Sequence, residues 1–430
     1  MKRLELRFIS ERSSFTMIMN SEHNIDYFAS EFLSMFPSMN HEETNMGESR
    51  VTIEAFQKTS EKLRKNVAIY VEEYKAANPQ VHKLRQFIEN LTEDEYFFFA
   101  PNRDFSSQDI LNITSSLAAL NKVADPYTIR GEFEDLFGDA VANYKITVLD
   151  NSSHHHPIGE PDRSKRVCRF CGKSQPNVRF RNKAHAIPEA LGNKHIILYE
   201  ECDGCNDKFS ETIERDIVNY LGLPRLFFGV RGKEGIPSMV GKEFKLNHVG
   251  KQQLDLAYSS RQDAAPNIFQ FETWDTMEPQ NIYRALCKFA ISIIGKEHLR
   301  SFSNTIEWIN RETSYSRLPK VASLITRGLC PSGPAIAVYT RTNNNRELPH
   351  MIGEFRFTCF TFVFIVPLSS EDDRSFDNDN VFVDLCKLFK YYDKAGKGEW
   401  ELNDFSGTDR LRVSFNIVRK QQHERDGVNP

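Results

Sequence analysis

Four of the eight cysteines stand as two Cys-x-x-Cys pairs, Cys168 with Cys171 and Cys202 with Cys205, with 30 residues between the pairs. Two tight turns of this kind, brought together across a loop, present four thiolates in the tetrahedron that zinc prefers. The spacing predicts a structural Zn²⁺ site and a chain that closes on itself between residues 168 and 205. A redox role needs only one pair in a strand-to-helix setting, and the second pair argues against it. The remaining cysteines, Cys287, Cys330, Cys359 and Cys386, sit in apolar surroundings and read as core packing. Metal-type spacing implies thiols kept reduced, so a cytoplasmic location is expected.

With 430 residues, 40% hydrophobic and 27% charged, the chain is long enough for two or three domains, each with its own core. No run of 18 apolar residues occurs. The longest apolar stretch, "CFTFVFIVPL" at 359–368, covers about half a membrane span and reads as a buried strand. The opening "MKRLELRFISERSSF" lacks a continuous apolar segment and a small-residue cleavage site, so neither a signal peptide nor a membrane partner is expected.

Charge is unevenly placed. Residues 1–160 carry 16 Lys and Arg against 25 Asp and Glu, whereas the rest carries 39 against 34. Only the second part suits a polyanionic partner. Within it, residues 161–183 hold eight cations and the single acid Asp162. Arg166, Arg169, Lys173, Arg179, Arg181 and Lys183 are therefore candidates for sequence-independent, salt-sensitive contact with phosphates.

Pattern divides the chain into an acidic, mostly helical α+β domain at 1–150, a linker at 151–165, a cysteine-bounded core at 166–222 and an α+β domain at 223–430. "LELRF" and "FTMIMN" alternate as strands, and Leu63, Val67, Ile69 and Tyr70 fit a helix ended by Asn78-Pro79. The linker's His154, His155 and His156 read as part of a solvated connector, since successive side chains point apart. Further on, "EFKLNHVGKQQLDLAYS" reads as a hairpin turning at Gly250-Lys251, and "NIYRALCKFAISIIG" and "HLRSFSNTIEWINRE" as amphipathic helices. "AIAVYTR", "EFRFTCFTFVFIVPL" and "RLRVSFNIVRK" supply strands, with "FVDLCKLFKYY" as an intervening helix. The N-terminal domain shows no catalytic constellation and is assigned to regulation, a protein partner or self-association.

Between the cysteine pairs, His185 lies in "AHAIP", where Pro188 stops a helix and Gly192 permits a reversal. Asn206 follows Cys205 and opens a helical pattern, Phe209, Ile213 and Ile217, that ends at Gly222. A His on a turn and an Asn at a helix N-terminus, anchored by one zinc, are held in a fixed relation, as a catalytic site requires.

This arrangement resembles the HNH endonucleases, through "AHAIPEALGN" and "ECDGCNDKFSETIE" over residues 166 to about 221. It is most similar to a zinc-stabilised branch of bacterial HNH proteins with two Cys pairs, found in defence against phage and foreign DNA. A looser similarity extends to "NIYRALCKFAISIIGKEHLRSFSNTIEWI". The resemblance implies a ββα-metal core inside an α+β, multidomain chain. It implies that His185 is the general base for water attacking a DNA phosphodiester, and that Asn206 binds a catalytic Mg²⁺ or Mn²⁺. Many family members place a metal-binding Asp directly before the base, where this chain has Ala184. Glu189, Asp207 and Glu214 are then the candidates for the further ligand, and Asn193 is the candidate for tying the loop in place of the family's middle Asn. The competing reading is a catalytically silent zinc ribbon that binds nucleic acid or protein. A Cys-His hydrolase has little room once four thiols serve zinc.

Overall fold

The computed structural model describes residues 2–21, 31–36, 40–43, 49–52, 54–101, 105, 107–123, 126–151, 156–250, 253–258, 268–325, 333–380, 385, 387–390 and 400–418. The chain is α+β and divides into two compact units, 1–138 and 139–430. No helix among the described residues is long and apolar enough to cross a membrane.

In the first unit an antiparallel sheet has the order Ser14–Ser21, Lys2–Ile9, Tyr96–Pro101, Phe56–Lys58. Period-2 alternation gives it two apolar faces. Phe8, Phe97 and Phe99 meet the helices Glu61–Tyr74 and Val81–Glu89, while Ile9 and Phe98 meet the helix Ser107–Leu120. Ser60 caps the first of these helices by accepting a hydrogen bond from Leu63 N at 3.1 Å, a contact worth about 1 kcal/mol. Ile69, expected on that helix's buried face, is exposed; Tyr70, Val71 and Tyr74 take the inner positions instead.

The second unit is built on a six-stranded antiparallel sheet, ordered Glu401–Asn403, Val321–Ile325, Phe360–Ile365, Met351–Phe357, Ala335–Arg341, Tyr144–Asp150. Tyr144–Asp150, read above with the N-terminal domain, pairs residue for residue with Ala335–Arg341, so it belongs to this unit. The stretch "EFRFTCFTFVFIVPL" at 354–368 is a hairpin rather than one strand, because Phe357 pairs with Phe360 across a turn in which Thr358 has φ 53°. Gly353 faces Phe364 across the pair, and a Cβ there would lie 2.2 Å from the Phe364 ring.

Both faces of this sheet are covered. On one side Ala337, Tyr339, Ile352 and Val363 meet Phe376, Leu385 and Phe389. On the other, Ile336, Val338, Phe355 and Phe364 meet the helix Pro279–Ile293, hereafter the central helix. Its amphipathic reading needs correction: all of its residues are buried, because its second side is covered by the cysteine-bounded core. Smaller sheets, Met239–Val240 with Phe244–Gly250 and Gln253–Tyr258, and Ile268–Met277 with Leu411–Val418, lie in the same unit. The strands of the expected 244–258 hairpin are present, and Lys251 at its turn lies outside the described residues. Of "FVDLCKLFKYY" only Leu385 and 387–390 are described, including a short 3₁₀ turn at Lys387–Phe389.

Candidate active site and metal centre

The first cysteine pair forms a tight knuckle. Gly172, at φ 69°, donates to Cys168 O at 2.9 Å, and Cys168 N donates to Lys173 O at 2.9 Å. The second pair opens the helix Asp203–Glu211, with Cys202 at the N-cap and Cys205 in the first turn. Asp203 locks the approach to the site, since its carboxylate accepts from Arg181 N at 2.8 Å and Asn182 N at 2.9 Å.

All four sulfurs lie within 4.8 Å of one another, with Cys171 Sγ 3.7 Å from Cys202 Sγ. Tetrahedral zinc with Zn–S bonds of about 2.3 Å sets its sulfurs about 3.8 Å apart, so the donor set and its spacing fit the ion. A hydrogen bond from Cys205, with help from nearby amides, brings Cys168 down to about 5. Burial pushes Cys202 up to about 12, and the bond to Cys168 pushes Cys205 up as well. Sulfurs this close cannot all ionise on their own, and a divalent cation is what stabilises four thiolates together.

From this anchor the chain runs into a second hairpin. Ala186 N donates to Ile196 O at 3.1 Å and Leu198 N to Ala184 O at 3.0 Å, with His185 bridging Ile197 between them. Alternation buries Ala184 and Ala186 and leaves His185 half-buried on the opposite side. The loop between is closed by Gly192 at φ 84° and tied by fully buried Asn193. Asn193 Nδ2 donates to Ile187 O and Ile196 O, and its Oδ1 accepts from His195 N and Ile196 N. The expected linker contributes here. His156–Ile158 forms a parallel strand beside Ile196–Leu198, and Asn151 bonds Gly192 O and Lys194 N. His154 and His155 lie outside the described residues.

A cleft of about 1050 Å³ opens beside this hairpin, lined by His185, Glu189, Asn206 and Glu214. Asn206 is one turn inside its helix, its N–H bonded to Cys202 O at 3.0 Å, and Cys202 holds the N-cap position. The helix breaks at Thr212, at φ −122° and ψ −96°, and restarts as Ile213–Tyr220, which carries Glu214 to the cleft. Of the three further acids considered, Glu189 and Glu214 line the cleft, and exposed Asp207 is not among its lining residues.

Burial lowers His185 below the usual imidazole value, and Lys183 and Lys288 lower it further against the opposing pull of Glu189. The ring is therefore neutral at pH 7 and able to accept a proton. Among the described residues the four cysteines are the single group of three or more His, Cys, Asp or Glu placed to share an ion. The oxygen donors that the cleft offers a hard cation include the Asn206 amide and the Glu189 and Glu214 carboxylates.

The basic candidates separate into two groups. Lys183 lines the cleft, and Lys173, Arg179 and Arg181 are exposed. Arg166 and Arg169 are corrections, because both are buried and occupied. Arg166 donates to Glu160 O and Pro161 O and stacks 4.4 Å over Tyr199. Arg169 pairs with Glu200 at 3.0 Å and donates to the carbonyls of Ile291, Ser292 and Ile294. In their place the cleft is lined by Lys194, Arg215 and Lys233, cations too scattered in sequence to form a visible cluster.

Residues 168–221 match a family model described as HNH endonuclease. Searches of curated proteins and of solved structures find no match to the chain.

Proposed function

We propose that this chain is a metal-dependent endonuclease hydrolysing phosphodiester bonds in DNA, with His185 as general base and zinc as the brace of its core. The observation that carries the proposal is the joint placement of a neutral His185, Asn206 and two carboxylates in one cation-rimmed cleft beside the four-cysteine site. His185 accepts a proton from the water that attacks phosphorus. Lys183, Lys194, Arg215 and Lys233 neutralise the flanking phosphates. Asn206 with Glu189 or Glu214 would hold Mg²⁺ or Mn²⁺, which would supply charge stabilisation for the leaving 3′ oxygen. Supercoiled plasmid should convert to nicked and linear forms with either cation and stay intact in EDTA. No conversion with any divalent cation, by protein that retains zinc, counts against the proposal.

The branch that the core resembles supports a role in bacterial defence against phage or foreign DNA. Expression in a bacterial host should lower plaque counts, and His185→Ala should restore them. The acid excess of the first 160 residues repels a polyanion, which supports regulation or partner binding for the N-terminal unit. Four thiols that serve zinc support a cytoplasmic site of action.

One observation favours a silent zinc module instead. Ala184 stands where many relatives carry a metal-binding acid, and it is 2% exposed. That reading expects salt-dependent DNA binding and one zinc per chain without nicking.

A further inference from the structure

The central helix lies beyond the family-matched segment, yet it delivers one cation into the matched core. Lys288 is fully buried, and its ammonium makes three contacts at once. Nζ donates to Glu214 Oε1 at 2.8 Å and to His185 O at 3.1 Å. It also lies 2.9 Å from Glu201 Oε2, an ion pair whose direction is off the hydrogen-bonding axis. Coulomb attraction needs no such alignment, so the pair holds. The rings of Phe170 and Phe209, each centred 5.9 Å away, close the remaining sides.

Two of the ammonium's three N–H bonds are donated, to Glu214 and to His185 O, and Glu201 supplies the charge partner on the remaining side. The destinations are not random. His185 O belongs to the residue read as the base, Glu214 also lines the cleft, and Glu201 directly precedes the second cysteine pair. We propose that Lys288 is a positioning residue of the nuclease site, fixing the His185 backbone, the Glu214 carboxylate and the zinc-bearing segment to one another. The inference rests on the nuclease reading of the cleft.

Burial pulls Lys288 toward neutrality, but Glu201 and Glu214 outweigh it and hold the lysine charged, above its ordinary value. A methionine of similar length would fill the same space with no charge to desolvate, so packing alone does not call for a lysine here. What the cation adds is direction, because it ties three segments that apolar contact would leave free to slide. Glu214 keeps 11% side-chain exposure while one oxygen is bonded to Lys288, which orients the carboxylate at the cleft wall.

Lys288→Met alone would leave two carboxylates facing each other in the interior, so the informative variant is Lys288→Met with Glu201→Gln, measured against Glu201→Gln. Positioning predicts that the double variant retains zinc and its thermal transition, while kcat for plasmid nicking falls about tenfold to a hundredfold with KM nearly unchanged. A second readout needs no catalytic cation: NMR titration of the His185 ring. The charged groups at that ring are Glu189, Lys183 and Lys288, with Glu214, Lys194, His195, Arg215 and Lys233 also lining the cleft. Loss of the Lys288 cation should raise the ring's pKa and shift its resonances.

An unchanged kcat with an unchanged ring titration overturns the proposal and leaves Lys288 as a charge balance. Failure of the double variant to fold with zinc also overturns it. Should the wild-type protein cut nothing with any cation, the nuclease reading falls, and His185 backbone amide resonances that do not move in the double variant separately remove Lys288 as the residue that positions His185.

Discussion

Arg169→Ala separates the two readings of this residue, a phosphate contact in the sequence and an internal clamp in the structure. The side chain is 3% exposed, pairs with Glu200 at 3.0 Å, and reaches the carbonyls of Ile291, Ser292 and Ile294 at 3.2, 3.3 and 2.6 Å. These carbonyls end the central helix, where no intrahelical donor remains for them. Breaking a buried ion pair costs about 3–5 kcal/mol. Glu200 keeps Lys296 at 2.6 Å and Glu160 N at 3.0 Å, which places this loss at the lower end. The carbonyls share a single Nη1, so together they add about 1–2 kcal/mol. The expected total is roughly 4–6 kcal/mol. For a unit of roughly 290 residues, with unfolding entropy of ~2.1 cal/mol/K per residue, Tm should fall by about 7–10 °C. Calorimetry of the intact chain measures this, and DNA binding across a salt series should keep its slope. A Tm within about 2 °C of wild type, with a log–log salt slope shallower by about 0.9, would refute the reasoning and return Arg169 to the DNA.

The fragment 166–222 alone should fail to fold even with zinc, since the central helix covers its core and Asn310 Nδ2 bonds Phe170 O; extending it through residue 310 should improve dispersion in an NMR spectrum. Cys205→Ser should lower zinc content by elemental analysis and abolish cleavage, because the first turn of the Asn206 helix then loses its anchor. Burial lowers His185 in the folded chain, so protonation disables the base only as pH falls through that lowered value. The acid limb of kcat/KM should therefore lie below the free imidazole's ~6.5, and a limb above it would contradict the assignment.

Legibility followed the range of the interactions involved. Cysteine spacing, a Pro-stopped turn and period-2 alternation are local, and the zinc-type cluster and most strands were readable from them. The sequence could not show which arginines turn inward, because that depends on Glu200 and on a helix end more than 120 residues away. The break at Thr212 was hidden for a related reason: Phe209, Ile213 and Ile217 keep helical spacing across it. The central helix read as amphipathic because Asn281, Arg284 and Lys288 resemble a solvent face. Each is buried, with Asn281 bonded to Asp216, Arg284 to Glu278 and Gln280, and Lys288 to Glu214. A lysine inside "ALCKFAI" was the available signal, since lysine is almost never fully buried without a partner.

The central claim, that this cleft cuts a phosphodiester bond with His185 as base, is tested most directly by single-turnover cleavage of end-labelled DNA in Mn²⁺. Wild-type protein is compared with His185→Ala of equal zinc content. The account predicts a loss of about 10²–10⁴-fold in the cleavage rate at unchanged DNA affinity. Equal rates for the two proteins would contradict it.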